Sequence, residues 1–254
     1  MKTTGDRILD RALDTVGGKG LFVKELDEAL RAGRVDVCVH SYKDMPAESD
    51  PDLPVVAVGP REDPRDVLLL PDGTSVPDTT KPIGSSSLRR RLQLAALYPD
   101  WRTEPVRGNV QTRLRKMNDG QFGGLVLAAA GLKRLGLWHR AARVFEPEEM
   151  LPAACQGIIA VQGRAGEEYE YLAAFDNPDA RDASLAERAF IRELNGGCSS
   201  PTAAYAVVAG DVIRLRGMYV GPEGEPLRGD VSGKRSDAGE LGRRLAMRLK
   251  GGCA

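Results

Sequence analysis

Aromatic residues make up only 5% of the 254 residues, and the chain holds just two histidines and four cysteines. So little His and Cys leaves few side chains from which a metal centre could be built. The thiols Cys38, Cys155, Cys198 and Cys253 form no CxxC pair, and their spacing matches neither a zinc site nor a disulfide framework. They read as the thiols of a reduced, cytosolic protein. Net charge is lacking too, with 36 basic and 36 acidic residues. That argues against a nucleic-acid binder working through bulk charge, and it requires any anion site to be a local cluster. No apolar run reaches the roughly 18 residues of a membrane span. The opening residues 1–13 are polar and charged, with no apolar core for export. What the chain has in quantity is 29 glycines and 16 prolines beside a 42% hydrophobic fraction. That fraction suffices for packed cores, so the composition predicts many loops rather than disorder. The length fits two or three small domains.

Periodicity gives a coarse order of elements. Phe22, Leu26, Ala29 and Leu30 share one helical face, with Gly33 as a stop. Residues 35–39 form a β-branched run that predicts a buried strand, ending in the polar stretch H-S-Y-K-D-M-P. From about Arg61 strands and helices alternate: a strand ending at Ile83, a helix faced by Leu88, Leu92 and Ala95, a strand at 104–106, a helix capped by Asn109, and an apolar strand at 125–130. Such alternation predicts a mostly parallel sheet with helices on both faces and a ligand site beyond the carboxyl ends of its strands. A short strand follows at 158–161 and a helix over 183–194. Residues 203–208 and 212–220, with turns at Gly210-Asp211 and Pro222-Glu223-Gly224, then predict antiparallel strands, covered by a helix over 237–250.

The stretch I-G-S-S-S-L-R-R-R-L-Q-L, from Ile83 to Leu94, sets hydroxyls and guanidinium groups at a helix start. A helix N-terminus offers unpaired N–H groups and partial positive charge, so Ser85, Ser86 and Ser87 can cap it and face an anion. Arg89, Arg90 and Arg91 are spaced about 100° apart around the helix, so at most two neighbours face one ligand. Arg107 and Arg113, flanking the start of the next helix, repeat the pattern, and Arg134 follows the next strand. Each alone is compatible with ordinary surface charge; three similar placements on one sheet edge fit a holder of carboxylates or of a polyanion. Asp44 beside Lys43 is either a salt-bridged loop or an acid at a cleft that stabilises a cation or takes a proton. His40 reads as a satisfied core histidine, and Cys38 and Cys155 as packing residues. Cys198, between Gly-Gly and Ser-Ser-Pro, is a loop thiol that is either incidental or a nucleophile or attachment point.

Nine motifs occur in order: V-G-G-K-G-L-F-V-K-E, V-H-S-Y-K-D-M-P, E-D-P-R-D, G-S-S-S-L-R-R, R-G-N-V-Q-T-R-L, A-A-A-G-L-K-R-L-G, L-P-A-A-C-Q-G, A-E-R-A-F and G-G-C-S-S-P. Together they closely resemble the porphobilinogen deaminase (hydroxymethylbilane synthase) family from about Thr4 to near the C-terminus. The resemblance implies a transferase of tetrapyrrole and heme biosynthesis. It joins four porphobilinogen molecules head to tail, releasing ammonia at each step, to give hydroxymethylbilane. It implies a dipyrromethane cofactor held by a thioether to Cys198, and Asp44 as the catalytic acid that contacts pyrrole N–H groups and stabilises a cationic azafulvene-type intermediate. It implies that Lys19, Lys43, Ser85, Ser87, Arg89, Arg90, Arg107, Arg113, Arg134 and Gln156 bind cofactor and substrate.

The implied fold class is α/β: two domains like the halves of a type II periplasmic binding protein, plus a small C-terminal α+β domain. Their expected extents are residues 1–59 with 158–176, then 63–152, then 178–254. The family's opening strand and helix, with an R-x-S-x-L-A motif, find no counterpart in these 254 residues. The first domain is therefore expected to be incomplete, and the chain taken literally to fold poorly and act weakly. A cytoplasmic monomer is implied, with no nucleic-acid or membrane partner and no metal. The rival expectations are a cytosolic, non-catalytic carboxylate- or phosphate-binding module and an inactive truncated form.

Overall fold

A computed structural model describes residues 23–194, 201–221 and 224–251. The described chain builds three sheets. The first helix, α1 (Lys24–Arg31), packs Ala29 and Leu30 inward and stops at Gly33, whose φ of 64° ends the helical run. Strand β1 (Cys38–Ser41) comes three residues later than the hydrophobic run predicted. It is half-buried rather than buried: Cys38 and His40 point inward, while Val39 is 62% exposed. The reason is its place on the edge of a three-stranded sheet, where successive side chains alternate between faces. Strand β2 (Val55–Val58) is the other edge, and both pair antiparallel with a central strand that the chain reaches only at Ile159–Gln162.

Between these, the chain leaves the first sheet at Gly59 and builds a second. Its strands are β3 (Asp66–Leu69), β4 (Ile83–Gly84), β5 (Thr103–Glu104), β6 (Gly124–Ala128) and β7 (Ala141–Phe145), in the order β5-β4-β6-β3-β7. Helices α2 (Leu88–Leu97), α3 (Val110–Asn118) and α4 (Ala129–Arg134) follow β4, β5 and β6. The strand–helix alternation was legible, but the mostly parallel sheet it predicted is not what forms. β4 runs parallel to β5 and β6, whereas β3 is antiparallel to both β6 and β7. β3 carries the crossing chain into the sheet and no helix follows it, so it enters against the direction of the βα units. Its four residues, Asp-Val-Leu-Leu, are all buried, as a central strand covered on both faces requires.

The chain returns to the first sheet through β8 (Ile159–Gln162) and then enters α5 (Pro178–Glu193). This helix begins five residues before the predicted start. Asn177 is its N-cap, accepting from Ala180 N at 2.9 Å, and Pro178 takes the first helical position, where a missing N–H costs nothing. The third sheet is antiparallel, β11-β10-β9, from β9 (Ala203–Ala209), β10 (Val212–Val220) and β11 (Pro226–Lys234). Helices α5 and α6 (Ala238–Lys250) cover one face, burying Ala186, Phe190, Ile213, Leu215 and Leu245. The two helices approach so closely at Gly242 that a Cβ there would lie 2.2 Å from Ala186 O.

Two crossings connect the first and second sheets, residues 59–65 and residues 146–158. They touch at Gly157, whose φ of 90° and 2.2 Å clearance to Glu62 O exclude any other residue. Glu187, fully enclosed on α5, binds both crossings. Its carboxylate accepts from Arg61 Nη1 and Nη2 at 2.8 Å each, from Cys155 N at 2.5 Å and from Ala206 N at 2.6 Å. Cys38 and Cys155 are buried, as expected of packing residues.

Candidate functional site

The parallel strands β4, β5 and β6 end on one edge of the second sheet, so α2, α3 and α4 all start there. Because β3 runs the other way, its first residue reaches that same edge: Asp66 pairs with Ala128, the last residue of β6. The inverted strand thus sets one carboxylate among three helix starts.

The serines divide their work. Ser87 is the N-cap of α2 and accepts from Arg90 N. Ser86 ties the helix start to the neighbouring loop, donating to Val106 O at 2.6 Å and accepting from Val106 N at 3.1 Å. Ser85 is buried and accepts from Ser87 N. Of the three arginines, two neighbours turn to one partner. Arg89 Nη1 lies 2.8 Å from Asp66 Oδ2 and donates to Leu151 O at 2.6 Å. Arg90 Nε donates to Asp66 Oδ1 at 2.9 Å, and its Nη1 to Val126 O at 3.2 Å. Cations in the first turn oppose the helix dipole; Asp66 offsets that. Burial alone would raise the Asp66 carboxyl, but Arg89 and Arg90 outweigh it and hold the group well below the usual carboxylate range.

Gln156, in the second crossing and 1% exposed, joins the parts. Its Nε2 donates to Asp66 Oδ1 at 2.9 Å and to Pro64 O at 2.6 Å. Its Oε1 accepts from Arg90 Nη2 and from Lys43 Nζ, each at 3.4 Å. Lys43 and Asp44 come from the opposite side, in the 3₁₀ turn Tyr42–Asp44 directly after β1. Burial lowers the Lys43 pKa, with Asp44 opposing that and Arg90 adding to it. Arg113, one turn into α3, donates from Nε to Gly108 O at 2.7 Å. Its pKa falls to about 10, first through burial and then through Arg90 and Arg107, while the Asp44 charge opposes the fall. Asp44 itself is exposed.

Lys43, Ser85, Ser87, Arg89, Arg90, Arg107, Arg113 and Gln156 therefore gather around this edge with Asp44. Arg134 stands to one side, exposed, its Nη2 donating to Gly157 O at 2.7 Å. Lys19 and Cys198 lie outside the described residues. His40 is a satisfied core histidine, with Nε2 2.9 Å from Gln162 Oε1. Two residues that pattern reasoning passed over are central: Asp66, inside the quoted E-D-P-R-D string, and Gln93, which accepts from Leu151 N at 2.8 Å and from Arg228 Nη2 at 2.8 Å. A buried polar residue beginning an otherwise apolar strand was the available signal for Asp66.

Lys43, Arg89, Arg90 and Arg113 lie close enough at this edge to act on one another, with Asp44 and Asp66 opposing them. Arg89 Nε and Asp66 Oδ2 are buried without a hydrogen-bond partner among the described residues. Cations gathered in this way suit a ligand that carries carboxylates. Among the described residues no group of His, Cys, Asp and Glu is placed to hold a metal ion. The class so defined is an α/β protein with buried arginines gathered about an acid at one sheet edge.

Residues 1–171 match the family profile "Porphobilinogen deaminase, dipyromethane cofactor binding domain", and residues 182–253 match "Porphobilinogen deaminase, C-terminal domain". The porphobilinogen deaminase of Ruminiclostridium cellulolyticum is 56% identical over 251 residues, covering 98% of this chain and 85% of that protein. That of Alkaliphilus oremlandii is 53% identical over 251 residues, covering 99% and 85%. That of Paracoccus denitrificans is 44% identical over 256 residues, covering 99% and 82%. The chain belongs to the porphobilinogen deaminase family. Among solved structures, the BvgS VFT2 domain of Bordetella pertussis aligns at 17% identity over 61% of this chain and 65% of that one, with a TM-score of 0.37, too low to carry any inference.

Proposed function

We propose that the chain is a hydroxymethylbilane synthase, a transferase of tetrapyrrole biosynthesis that condenses four porphobilinogen molecules with release of ammonia at each step. The observation that carries the reading is the placement of one exposed acid, Asp44, among Lys43, Arg90, Arg107 and Arg113, in a chain of this family. A dipyrromethane, when bound, supplies a pyrrole carbon to which the first substrate adds. Lys43, Ser87, Arg107 and Arg113 would hold its acid side chains. Arg89, Arg90, Ser85 and Gln156 stand behind these in the same site, Arg134 borders it, and Lys19 and Cys198 complete the assignment, with Cys198 as the thioether attachment.

Each step breaks the C–N bond of the incoming substrate's aminomethyl group and forms a C–C bond to the chain end, which loses a proton. Positive charge develops on the substrate as ammonia leaves. The Asp44 carboxylate is the group that stabilises it and orients the pyrrole N–H, an electrostatic contribution strongest where water is excluded. The guanidinium groups bind the substrate's acetate and propionate in paired hydrogen bonds, which fixes the reacting atoms in position. The three sheets we read as three domains, residues 1–59 with 158–176, 63–152 and 178–254, with the site where the two crossings meet the first two. We further propose a cytoplasmic monomer; among the described residues no helix is long and apolar enough to cross a membrane.

The deciding experiment is the intact mass of the purified chain beside Cys198→Ala, with porphobilinogen consumption followed in both. The reading expects an added mass of two linked pyrroles, absent from C198A, and turnover only in the parent. An unmodified, folded and inert parent would support a non-catalytic carboxylate binder instead.

A further inference from the structure

The most enclosed charge at this edge cannot be a ligand contact. Asp66 is 0% exposed: its Oδ1 accepts from Arg90 Nε and Gln156 Nε2 at 2.9 Å each and lies 2.8 Å from Arg90 Nη2, while its Oδ2 makes an ion-pair contact with Arg89 Nη1 at 2.8 Å and no hydrogen bond among the described residues. Three different parts of the chain meet there: the start of β3, the first turn of α2, and the second crossing. We infer that Asp66 is a positioning residue of the proposed carboxylate-binding edge, holding the Arg90 fork and the Arg89 guanidinium on one carboxylate and registering that pair, through Gln156, against Lys43. The inference rests on the functional reading above.

The geometry explains why a carboxylate is needed. Arg89 and Arg90 are sequence neighbours about 100° apart on a helix, so their side chains diverge unless a common partner draws them together. An acceptor with two oxygens can meet both guanidinium groups and still accept from Gln156. The same Gln156 carries Lys43 Nζ on its Oε1 at 3.4 Å, so the amide orientation that serves Asp66 also presents an acceptor to the lysine. An Asp66→Asn side chain keeps the shape but replaces one acceptor with a donor. That donor would face an arginine or the Gln156 amide, and the two guanidinium groups would separate. Asp66→Glu keeps the charge but moves it outward by one methylene, which shifts both guanidinium groups together.

The test uses the full chain in four forms: parent, Asp66→Asn, Asp66→Glu, and Val67→Ala. Val67 is a fully buried neighbour on the same strand with no polar role, so V67A reports loss of stability alone. Intact mass after incubation with porphobilinogen, KM and kcat, and thermal unfolding are measured for each. We expect D66N and D66E to fold and to raise KM about 10- to 100-fold, the range seen when a group orienting a binding residue is lost. Loading of the covalent pyrrole mass should fall in parallel. V67A, at a comparable loss of melting temperature, keeps the parent KM and loading. D66N or D66E within about twofold of the parent in both KM and loading overturns the inference. So does a V67A that moves KM as far as D66N does, because the effect is then one of stability. If both Asp66 variants fail to fold, the carboxylate is a folding requirement and the positioning role is likewise rejected. A parent that neither loads nor turns over rejects the functional reading itself, and the inference with it; an active parent beside an unaffected D66N rejects the inference alone.

Discussion

Replacing Glu187 by glutamine tests the architecture at its most connected point. The carboxylate is completely enclosed and accepts four hydrogen bonds, two from the Arg61 guanidinium and one each from Cys155 N and Ala206 N. Those donors belong to the first crossing, the second crossing and strand β9, while Glu187 belongs to α5. Arg61 also donates to Ala206 O at 3.1 Å. Glutamine has nearly the same shape, so no cavity forms and packing is unchanged. What changes is that one oxygen becomes an NH2 group. Each oxygen accepts from one Arg61 N–H and one backbone N–H, so in either orientation the new NH2 group meets an Arg61 donor and orphans one backbone N–H, of Ala206 or of Cys155, and the buried guanidinium loses its counter-charge.

Breaking a buried ion pair from one side costs about 3–5 kcal/mol, and orphaned N–H groups lie within that figure rather than on top of it. At about 2–4 °C per kcal/mol for a chain of this size, E187Q should lower the melting temperature by about 6–20 °C. Calorimetry is the right assay because the contact joins three parts of the fold. The melting of the third sheet should separate from that of the other two as the tie between them is lost. A single transition shifted by less than about 2 °C would refute the reasoning, for it would mean that water or a rearranged Arg61 satisfies the group at little cost.

Gly157→Ala should destabilise the fold by about 1–3 kcal/mol or more, because φ is 90° and the added Cβ would sit 2.2 Å from Glu62 O; chemical denaturation measures it, and an unchanged midpoint would contradict the close contact. Asp63 has its pKa lowered from 3.8 to about 2 by hydrogen bonds from Arg65 and Lys133 that outweigh burial. A depressed folded-state value means stability that is present above pH 4 and lost as pH falls toward 2, worth about 2 kcal/mol. D63N should remove that part of the acid limb in a pH-dependent denaturation series, and a parent-like limb in D63N would count against it. Asp44→Asn should reduce turnover of porphobilinogen about 10²- to 10³-fold with little change in melting temperature, since the side chain is exposed and its role is electrostatic. Near-normal kcat in D44N would assign charge stabilisation elsewhere.

The elements that could be read from sequence were those whose local signals agree with their tertiary setting. Asn109 reads as a cap and is one, accepting from Thr112 N at 2.9 Å. The runs at 203–208 and 212–220, with a turn between them, read as antiparallel strands, and they form. The serine and arginine run at 85–91 announced an anion site at a helix start, and two of its arginines do converge. Their target could not be seen. Asp66 lies outside the run and reaches it only because β3 enters the sheet in reverse, a fact of chain crossing that no local period encodes. Val39 was misplaced for a related reason: a short β-branched run such as Val37-Cys38-Val39 looks alike whether a strand is central or at an edge. Gln156 shows the same limit, since its side-chain hydrogen bonds reach the first crossing, β3, α2 and the turn after β1.

A protein with 36 charges of each sign has no long-range field to draw an acid toward it. Its attraction must come from separating charge locally, and the buried edge shows how. Asp66 neutralises Arg89 and Arg90 enough for them to be buried together, and Asp44, the acid proposed to face the developing cation, is exposed. Lys43 and Arg113 are both depressed in pKa, first by burial and then by neighbouring arginines. Each carboxylate that enters relieves part of that repulsion and desolvation, so the apo protein stores the cost and the ligand removes it. Binding of this kind rises with the number of acid groups on the ligand. It therefore favours a chain of pyrroles, each with two acids, over any single dicarboxylate of the same size.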